Sequence, residues 1–446
     1  MRASHRSSSV HASGRLRALL TGLVPGLVLL AAAAGLPGCG ISKGSEALGQ
    51  SWTVDRSPSP LPTSVSGYDG TQADALSSVS CVSQSQCVAV GSWAKNGTDF
   101  NHPLLLGYGG AGWTTLRTSE ASGGLYSVSC PSPEECLAVG SDSVIRIGGS
   151  AAHRMPWPPG LQGLLAGISC PSVSDCWAVG YGPHASHSFS RARPDHLVLL
   201  HFDGASWQQT EPPSLPTAVP STLLFGVSCF DPSFCVAVGE AARSASSAQD
   251  MLVLSYDGLE WSAALTPTLS HGSQAWLKSV ACMSTQRCVA VGSASTSTAS
   301  AASPIDRTLV IAYDGSAWKV LRSPDPLGGS GNDDLSGVAC TSPTSCIAVG
   351  ALTSASGEQR NLVLRFDGAS WSAEPVPDSG GHDALGDPYF LGCGGSTCWD
   401  NSLSGIACIQ ATTCFAVGSM AYQSDQSDQS TVPTARTLVL RSTVRP

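Results

Sequence analysis

The sequence predicts an all-β fold, a seven-bladed β-propeller made of four-stranded antiparallel blades. Three observations predict it. A hairpin motif with two cysteines occurs seven times, a second hairpin motif follows most of its copies, and a fragment of the second motif precedes the first copy. Internal repeats of roughly 40 to 50 residues indicate a solenoid, a propeller or an array. Two hairpins per repeat provide the four strands of one propeller blade.

The first motif reads, with small variations, Leu-x-x-Val-Ser/Ala-Cys-x5-Cys-x-Ala-Val-Gly. Its copies occupy residues 76–91, 125–140, 165–180, 224–239, 277–292, 335–350 and 403–418. The first half alternates apolar and polar residues, and the second half is a short apolar run. The segment between the cysteines is rich in Ser, Pro, Asp and Thr, as turns are. Each copy therefore predicts a β-hairpin.

The two cysteines of each copy face each other across this hairpin. Paired antiparallel strands lie about 5 Å apart, which is the Cα separation that a disulfide needs. The predicted disulfides are Cys81–Cys87, Cys130–Cys136, Cys170–Cys176, Cys229–Cys235, Cys282–Cys288, Cys340–Cys346 and Cys408–Cys414. Free buried thiols or zinc sites are the alternatives, but zinc usually requires four ligands with closer cysteine spacing. An eighth pair, Cys393–Cys398, lies in the longest insertion.

The second motif reads Leu/Val-Val/Leu-Leu-x-Phe/Tyr-Asp-Gly-x-x-Trp. Its best copies occupy residues 197–207, 252–261, 309–318 and 362–371, and a looser copy at 104–113 has Gly109 in place of the Asp. Asp-Gly between two apolar runs is a tight-turn signal, so this motif predicts the outer hairpin of each blade. The matching segment of the second repeat, 144–157, is degenerate, and we expect a poorly formed outer hairpin there.

The ring is predicted to close through the N-terminal segment. The seventh repeat ends after its third strand, near residue 441, and lacks a Trp strand. Residues 51–60, Ser-Trp-Thr-Val-Asp-Arg-Ser-Pro-Ser-Pro, resemble residues 317–326, Ala-Trp-Lys-Val-Leu-Arg-Ser-Pro-Asp-Pro. We expect this strand to complete blade seven, which removes open sheet edges. A linear array of small domains, the alternative, would leave the Trp52 segment unexplained.

Over nearly all of residues 51–446 the chain resembles the seven-bladed propellers that bacteria secrete. The Asp-Gly-x-x-Trp turn is similar to the Asp-box of sialidase-type repeats, but that box has a residue between Asp and Gly and a Ser or Thr two residues before the Asp. The residues at that earlier position are His201, Ser255, Ala312 and Arg365. The resemblance therefore implies how the blades are built, and not sialidase chemistry.

Residues 1–38 have the pattern of an export signal. Four Arg and no acidic residue lead into an apolar run over 18–36, which ends at Leu36-Pro37-Gly38-Cys39. This ending resembles a bacterial lipobox, which implies lipidation of Cys39, although Pro37 departs from the usual small residue. An uncleaved membrane anchor and an ordinary signal peptide are the alternatives, since about 19 apolar residues can span a bilayer.

These alternatives all export the propeller, either to the outer face of the bacterial cytoplasmic membrane or as a secreted protein. Residues 39–50 are then a spacer and 51–446 the propeller. The cysteine count agrees, because lipidation of Cys39 leaves 16 of the 17 Cys for eight pairs. Disulfides persist in oxidising compartments. The net charge of −9 argues against nucleic acid as a partner.

Connections on one face of the predicted ring vary widely in length, which is typical of a binding face. The longest, 378–402, carries the candidate binding residues His382, Asp383, Asp387, Tyr389, Phe390, Trp399 and Asp400. We expect this face to bind an envelope protein or a glycan. Its acids and His could hold a cation, but no calcium-loop pattern occurs, and we predict no metal or cofactor. His196 and His201 are five residues apart on a predicted strand, so their side chains point to opposite faces and would not share a metal ion.

Catalysis has little support in the sequence. No nucleophile-elbow, zinc-protease or phosphate-loop motif occurs. Residues 144–148, Val-Ile-Arg-Ile-Gly, only faintly resemble the Arg motif of sialidases. The alternatives to a binding protein are a propeller glycoside hydrolase or lyase with an unrecognised site, and an envelope-assembly scaffold.

The eight local cysteine pairs lead to a direct prediction. Mass analysis of the soluble part under non-reducing conditions should find eight local disulfides and no free thiol. A disulfide that joins two different repeats would contradict the hairpin assignment.

Overall fold

The computed structural model describes residues 50–58, 73–94, 102–119, 122–149, 151–182, 196–215, 221–242, 249–269, 273–296, 305–377, 401–422 and 434–444. Every regular element in these ranges is a β-strand, and they form seven four-stranded antiparallel blades arranged in a ring. The protein is therefore a seven-bladed β-propeller, as the repeats predict. Across the described ranges there is no helix that is long and apolar enough to cross a membrane.

In each blade the four strands follow one another along the chain from the innermost to the outermost, except that the outermost strand of blade 7 is the first of the chain. Blade 1 contains β2 (Ala73–Ser83), β3 (Gln86–Ala94), β4 (His102–Tyr108) and β5 (Trp113–Thr115). Blade 2 contains β7 (Leu125–Ser132), β8 (Glu135–Gly140), β9 (Val144–Gly148) and β10 (Ala151–Met155), with β6 (Arg117–Ser119) added outside. Blade 3 contains β11 (Leu164–Ser172), β12 (Asp175–Gly182), β13 (His196–Phe202) and β14 (Trp207–Gln209).

Blade 4 contains β15 (Thr222–Asp231), β16 (Phe234–Ala242), β17 (Gln249–Tyr256) and β18 (Trp261–Ala263). Blade 5 contains β19 (Ser273–Ser284), β20 (Arg287–Thr296), β21 (Ile305–Tyr313) and β22 (Trp318–Leu321). Blade 6 contains β23 (Gly331–Ser342), β24 (Ser345–Ser354), β25 (Gln359–Phe366) and β26 (Trp371–Ala373). Blade 7 contains β27 (Asn401–Gln410), β28 (Thr413–Tyr422), β29 (Thr434–Val444) and β1 (Gln50–Asp55).

The seven repeat disulfides are confirmed. Each joins the two innermost strands of its blade, with Cα atoms 4.0–4.1 Å apart. This is close to the spacing of directly opposed residues in a non-hydrogen-bonded antiparallel pair. The eighth predicted pair, Cys393–Cys398, lies outside the described residues.

The apolar core consists of seven separate layers, one at each seam, where a seam is the contact between two neighbouring blades. Six of the seven layers contain one Trp from the outermost strand of a blade, 5–9% exposed. In order, seams 2–3, 3–4, 4–5, 5–6, 6–7 and 7–1 contain Trp207, Trp261, Trp318, Trp371, Trp52 and Trp113. The Trp of the second motif therefore serves contacts between blades.

The Asp-Gly turn is a four-residue loop whose Asp and Gly have separate functions. Asp203 Oδ1 accepts hydrogen bonds from the backbone N–H groups of Ala205 and Ser206, at 2.9 and 2.8 Å. Gly204 has a φ of +91°, and a Cβ there would lie 2.9 Å from the Cβ of Ser174 in the cysteine loop of the same blade. Only glycine meets both requirements.

Three further copies repeat this turn, with Asp257, Asp314 and Asp367 as the acceptors. Hydrogen bonds to the charged form hold the pKa of the Asp203, Asp257 and Asp367 carboxyls below the usual range. In these three the backbone N–H groups are the largest cause. The pKa of Asp314 is also lowered, chiefly by Lys319.

The expectation of a poorly formed outer hairpin in blade 2 is wrong. Strands β9 and β10 pair over five residues, and β6 adds a parallel fifth strand. Ile145 and Ile147 are buried and supply the apolar face, while Gly149, with a φ of +60°, supplies the turn. The segment forms a hairpin without the Asp-Gly and Trp signals because burial and turn chemistry are sufficient.

Closure by the N-terminal strand is confirmed. Strand β1 pairs antiparallel with β29 over six residues. Trp52 is 5% exposed in seam 6–7, and its Nε1 donates to Glu374 Oε2 at 2.9 Å. The likeness to blade 5 extends to side chains, because Ser57 lies 2.7 Å from Thr437 Oγ1 as Ser323 lies 2.7 Å from Thr308 Oγ1.

Removal of this strand tests the closure. Deletion of residues 45–60 removes Trp52 from seam 6–7 and leaves an open edge on β29, so we expect a lower Tm in calorimetry under non-reducing conditions. Deletion of residues 40–44 alone keeps β1 and is the matched control. Equal Tm values for the two deletions would contradict closure by β1.

Candidate functional site

A β-bulge in the innermost strand of every blade shapes the centre of the ring. Leu76 and Val79 are both buried in the same core layer, although residues three apart on a regular strand face opposite sides. The register between β2 and β3 shifts between Leu76 and Ser78, which inserts one residue. The same shift occurs in all seven blades. Regular alternation, which the sequence analysis predicts here, is therefore wrong at this position.

The bulged residues and those after them line a central channel. In blade order the bulged residues are Ser77, Tyr126, Ala166, Phe225, Lys278, Ser336 and Ser404. The channel has a cavity volume of about 170 Å³. Sites for small molecules usually occupy about 300–1,000 Å³. A larger partner would thus contact the end of the channel and not its interior.

Small residues after the bulge let the innermost strands approach each other. Ser78, Ser127 and Ser279 accept hydrogen bonds from backbone N–H groups of the next blade, at 3.2–3.3 Å. Where Gly226 occupies this position, a Cβ would lie 2.9 Å from the carbonyl oxygen of Lys278 in blade 5. The channel wall is therefore closely packed, and only a small residue fits at the position after the bulge.

The Ser that precedes the first cysteine in four repeats has a structural role. Its hydroxyl accepts a hydrogen bond from the backbone N–H of the first cysteine of the next blade. The pairs are Ser80 with Cys130, Ser129 with Cys170, Ser169 with Cys229 and Ser228 with Cys282, at 2.9–3.0 Å. These bonds satisfy backbone donors on the innermost strands of blades 2 to 5.

The ring has two faces. We call the face with the cysteine loops and the Asp-Gly loops the turn face, and the opposite face the loop face. The bulged residues and the residues that follow the glycine of the second strand lie at the loop-face end of the channel, which we call the channel mouth, and two of the bulged side chains make contacts there. Tyr126 hydrogen bonds with Ser141, and the rings of Tyr181 and Phe225 have centroids 6.1 Å apart.

The two halves of the channel mouth differ in their side chains. Blades 2 to 4 contribute Tyr126, Tyr181 and Phe225, and Tyr126 is 37% exposed. Blades 6, 7 and 1 place small residues at the equivalent positions: Ser336, Ala351, Ser404, Ser419, Ser77 and Ser92. The fold accepts serine at these positions, so the aromatic residues are not required for blade construction.

A charged cluster lies between these halves, at blades 4 to 6. Lys278 pairs with Asp334, which also accepts a hydrogen bond from Ser293. Glu240 accepts from Gln249 Nε2 at 2.8 Å. Burial raises the pKa of Glu240 to about 7, and the charge of Lys278 opposes this rise. Within the described ranges no group of three or more His, Cys, Asp or Glu is placed to hold a metal ion.

The binding residues predicted from the sequence can be compared with this site only where the structure describes them. His382, Asp383, Asp387, Tyr389, Phe390, Trp399 and Asp400 lie outside the described residues, as does Cys39. Two other candidates have structural contacts. His201 Nε2 lies 3.3 Å from Asp175 Oδ1, and Arg146 Nε lies 2.9 Å from Glu135 Oε1.

Sequence reasoning missed the channel mouth. A signal was nevertheless present, because the residue after the repeat Leu changes chemical class from blade to blade, while the residue before it is always Leu and the residue after it is always Ser or Gly. Alignment of the seven copies would have shown Ser, Tyr, Ala, Phe, Lys, Ser and Ser at this position.

No protein-family model matches the chain, and no curated protein matches it by sequence. Similar solved structures include YCF48 bound to D1 peptide, at 14% identity and a TM-score of 0.49, covering 90% of this chain and 99% of that chain. An extracellular domain of a hybrid two component system from B. thetaiotaomicron has 11% identity and a TM-score of 0.49, covering 84% and 40%. A subtype N11 neuraminidase-like protein has 9% identity and a TM-score of 0.38, covering 89% and 94%. At these identities the likeness concerns the fold alone.

The buried carboxyl of Glu240 makes stability depend on pH. Its pKa in the folded protein lies near 7, above the value of 4.5 expected when it is exposed. The folded state therefore binds the proton more tightly, and its advantage is full below pH 4.5 and lost as the pH rises through 7. The loss amounts to at most about 3 kcal/mol. Asp333, with a pKa raised by burial to about 6, acts in the same direction.

We expect the Tm to fall between pH 5 and pH 8, and Glu240→Gln to remove part of that fall. Glu134→Gln, at an exposed position on the turn face, is the control. Parallel pH profiles for wild type and Glu240→Gln would contradict the assignment.

Proposed function

We propose that the protein is a non-enzymatic binding propeller that presents the channel mouth and the surrounding loop face to a protein partner at the bacterial cell envelope. The observation that carries this proposal is the aromatic half of the channel mouth. Tyr126, Tyr181 and Phe225 are all partly exposed. Aromatic residues with an apolar ring and solvent access are enriched at protein interfaces.

The quasi-equivalent positions provide an internal comparison. Serine at these positions in other blades is compatible with the same bulge and the same channel. Exposure of Tyr and Phe in place of Ser leaves apolar surface in water, which is unfavourable unless a partner covers it. Binding thus accounts for the aromatic residues, whereas blade construction does not.

Loop lengths support the same face. On the turn face, two residues connect the cysteine strands, as between Ser83 and Gln86. On the loop face, the connections range from three residues between β8 and β9 to 27 residues between β26 and β27. The longest connection includes residues 378–400, with the candidate residues His382 to Asp400. These residues lie outside the described ranges, and we propose that they take part in the same binding surface.

The cellular setting follows from the cysteines. Seven disulfides indicate an oxidising environment outside the cytoplasm. Lipidation at Cys39 would hold the propeller at the membrane. A glycan partner, or a glycoside hydrolase or lyase activity, has less support, because the channel is smaller than an ordinary ligand pocket.

A capture experiment tests the proposal. The double variant Tyr126→Ser and Phe225→Ser copies residues found at the same position in blades 1, 6 and 7, so folding should be retained. We expect at least a tenfold loss of the envelope proteins that wild type captures after cross-linking, measured by quantitative mass spectrometry. Deletion of residues 378–402 tests the adjoining loop separately.

The matched control removes apolar surface from the turn face. Val173→Ser with Phe230→Ser replaces two side chains that are 42% and 46% exposed there. Capture should be unchanged in this variant. Equal capture by the channel-mouth variant and wild type would contradict the proposed surface.

A further inference from the structure

The hydroxyl bonds beside the channel do not continue around the whole ring. Seams 1–2 and 2–3 each have two, and seams 3–4, 4–5 and 5–6 each have one. At the same two positions blade 6 has Gly337 and Ala339, and blade 7 has Gly405 and Ala407. Glycine and alanine carry no hydroxyl, so seams 6–7 and 7–1 lack this connection.

Seam 6–7 has a second weakness at the loop-face end of its core layer. In seam 4–5 the corresponding positions are Met251 and Ala275, which pack together in one apolar cluster. In seam 6–7 they are Asn361 and Asn401, 4% and 5% exposed. Among the described residues, both polar side-chain atoms of Asn361 and the Oδ1 of Asn401 have no hydrogen-bond partner. Unpaired buried polar groups disfavour the closed seam.

The sequence explains why Asn361 has no partner. The equivalent Thr308 and Thr437 each bond with a Ser five residues after the outer Trp, namely Ser323 and Ser57. In blade 6 the residue five after Trp371 is Val376. An aliphatic side chain cannot accept or donate a hydrogen bond, so Val376 cannot bond with the amide of Asn361 as Ser323 bonds with Thr308.

Seam 7–1 compensates for its missing hydroxyls. Tyr108, Trp113 and Phe415 pack there with ring centroids 5.0–5.7 Å apart. Arg441 Nη1 also donates to the hydroxyl of Tyr108 at 3.1 Å. Aromatic packing of this kind stabilises an interface beyond its buried area. Seam 6–7 has two bonds of its own, from Trp52 Nε1 to Glu374 Oε2 at 2.9 Å and from Arg365 Nη1 to the carbonyl oxygen of Ala411 at 3.4 Å. The first lies at the outermost strands and the second at the turn face, so the loop-face end of seam 6–7 is the weaker of the two.

We propose that the ring opens reversibly at the seam between blades 6 and 7, ahead of every other seam. Opening exposes the carboxamides of Asn361 and Asn401 and the apolar layer beneath them. The inference does not depend on the proposed partner binding, because it concerns the opposite part of the ring.

The outer Trp residues provide matched reporters, since each seam but one contains a single such Trp at 5–9% exposure. Oxidative footprinting of the full mature protein, read by mass spectrometry, gives a modification rate for each Trp. We expect Trp52 to react at least fivefold faster than Trp113, Trp207, Trp261, Trp318 and Trp371. Equal rates for the six residues would overturn the proposal.

Because Trp52 lies on β1, peeling of that strand alone could also expose it, and exchange of the seam residues separates the two causes. Asn361→Met with Asn401→Ala installs the pair of seam 4–5 and should lower the Trp52 rate to within twofold of the Trp318 rate. Met251→Asn with Ala275→Asn should instead raise the Trp318 rate severalfold. A Trp52 rate that the first exchange leaves unchanged would assign the exposure to β1 and refute opening of the seam. If the second variant does not fold, the first decides, because it copies a pair that this fold already contains.

Discussion

The structure depends on the burial of each blade between its two neighbours. The apolar residues form seven separate layers rather than one central core, so no blade buries both faces unless the ring closes. This constraint explains the Trp at the outer edge of most blades, and it explains why residues 50–55 pair with the last strand of the chain. The disulfides act within blades: each staples the innermost hairpin, whose two strands supply much of every layer.

The narrow centre of the ring decides where the sequence is free to vary. Leu76 and Val79 must both face the neighbouring blade, which forces a bulge between them. The residue after the bulge touches the next innermost strand and stays Gly or Ser. The bulged residue projects into the channel and meets no such limit, so it ranges from Ser77 to Phe225 and Lys278. The fold thus confines chemical variation to the channel mouth and the loops of one face.

The fold could be predicted from the sequence because its signals are local and repeated seven times. Cysteine spacing predicts the inner hairpins, and the likeness of the Trp52 and Trp318 segments predicts the closure. The channel mouth could not be predicted, because contacts between blades, such as that of Tyr181 with Phe225, depend on how the blades are arranged around the axis. The Leu-x-x-Val spacing was the available clue to the bulge, since three residues do not fit an alternating strand. The blade 2 hairpin departs from the prediction because the degenerate motif keeps what a hairpin needs, the buried Ile145 and Ile147 and the turn at Gly149.

The blades that carry the aromatic channel-mouth residues and the blades that flank the weak seam are different ones. The aromatic half of the channel mouth lies on blades 2 to 4, where every seam has at least one inter-blade hydroxyl bond, from Ser127, Ser129 or Ser169 among others. A surface on firmly joined blades keeps its side chains in place, which lowers the entropy cost of binding. The buried amides of Asn361 and Asn401 lie across the ring. They destabilise seam 6–7, which the aromatic residues of the channel mouth do not contact. Weak packing at this seam therefore leaves the proposed binding surface in place.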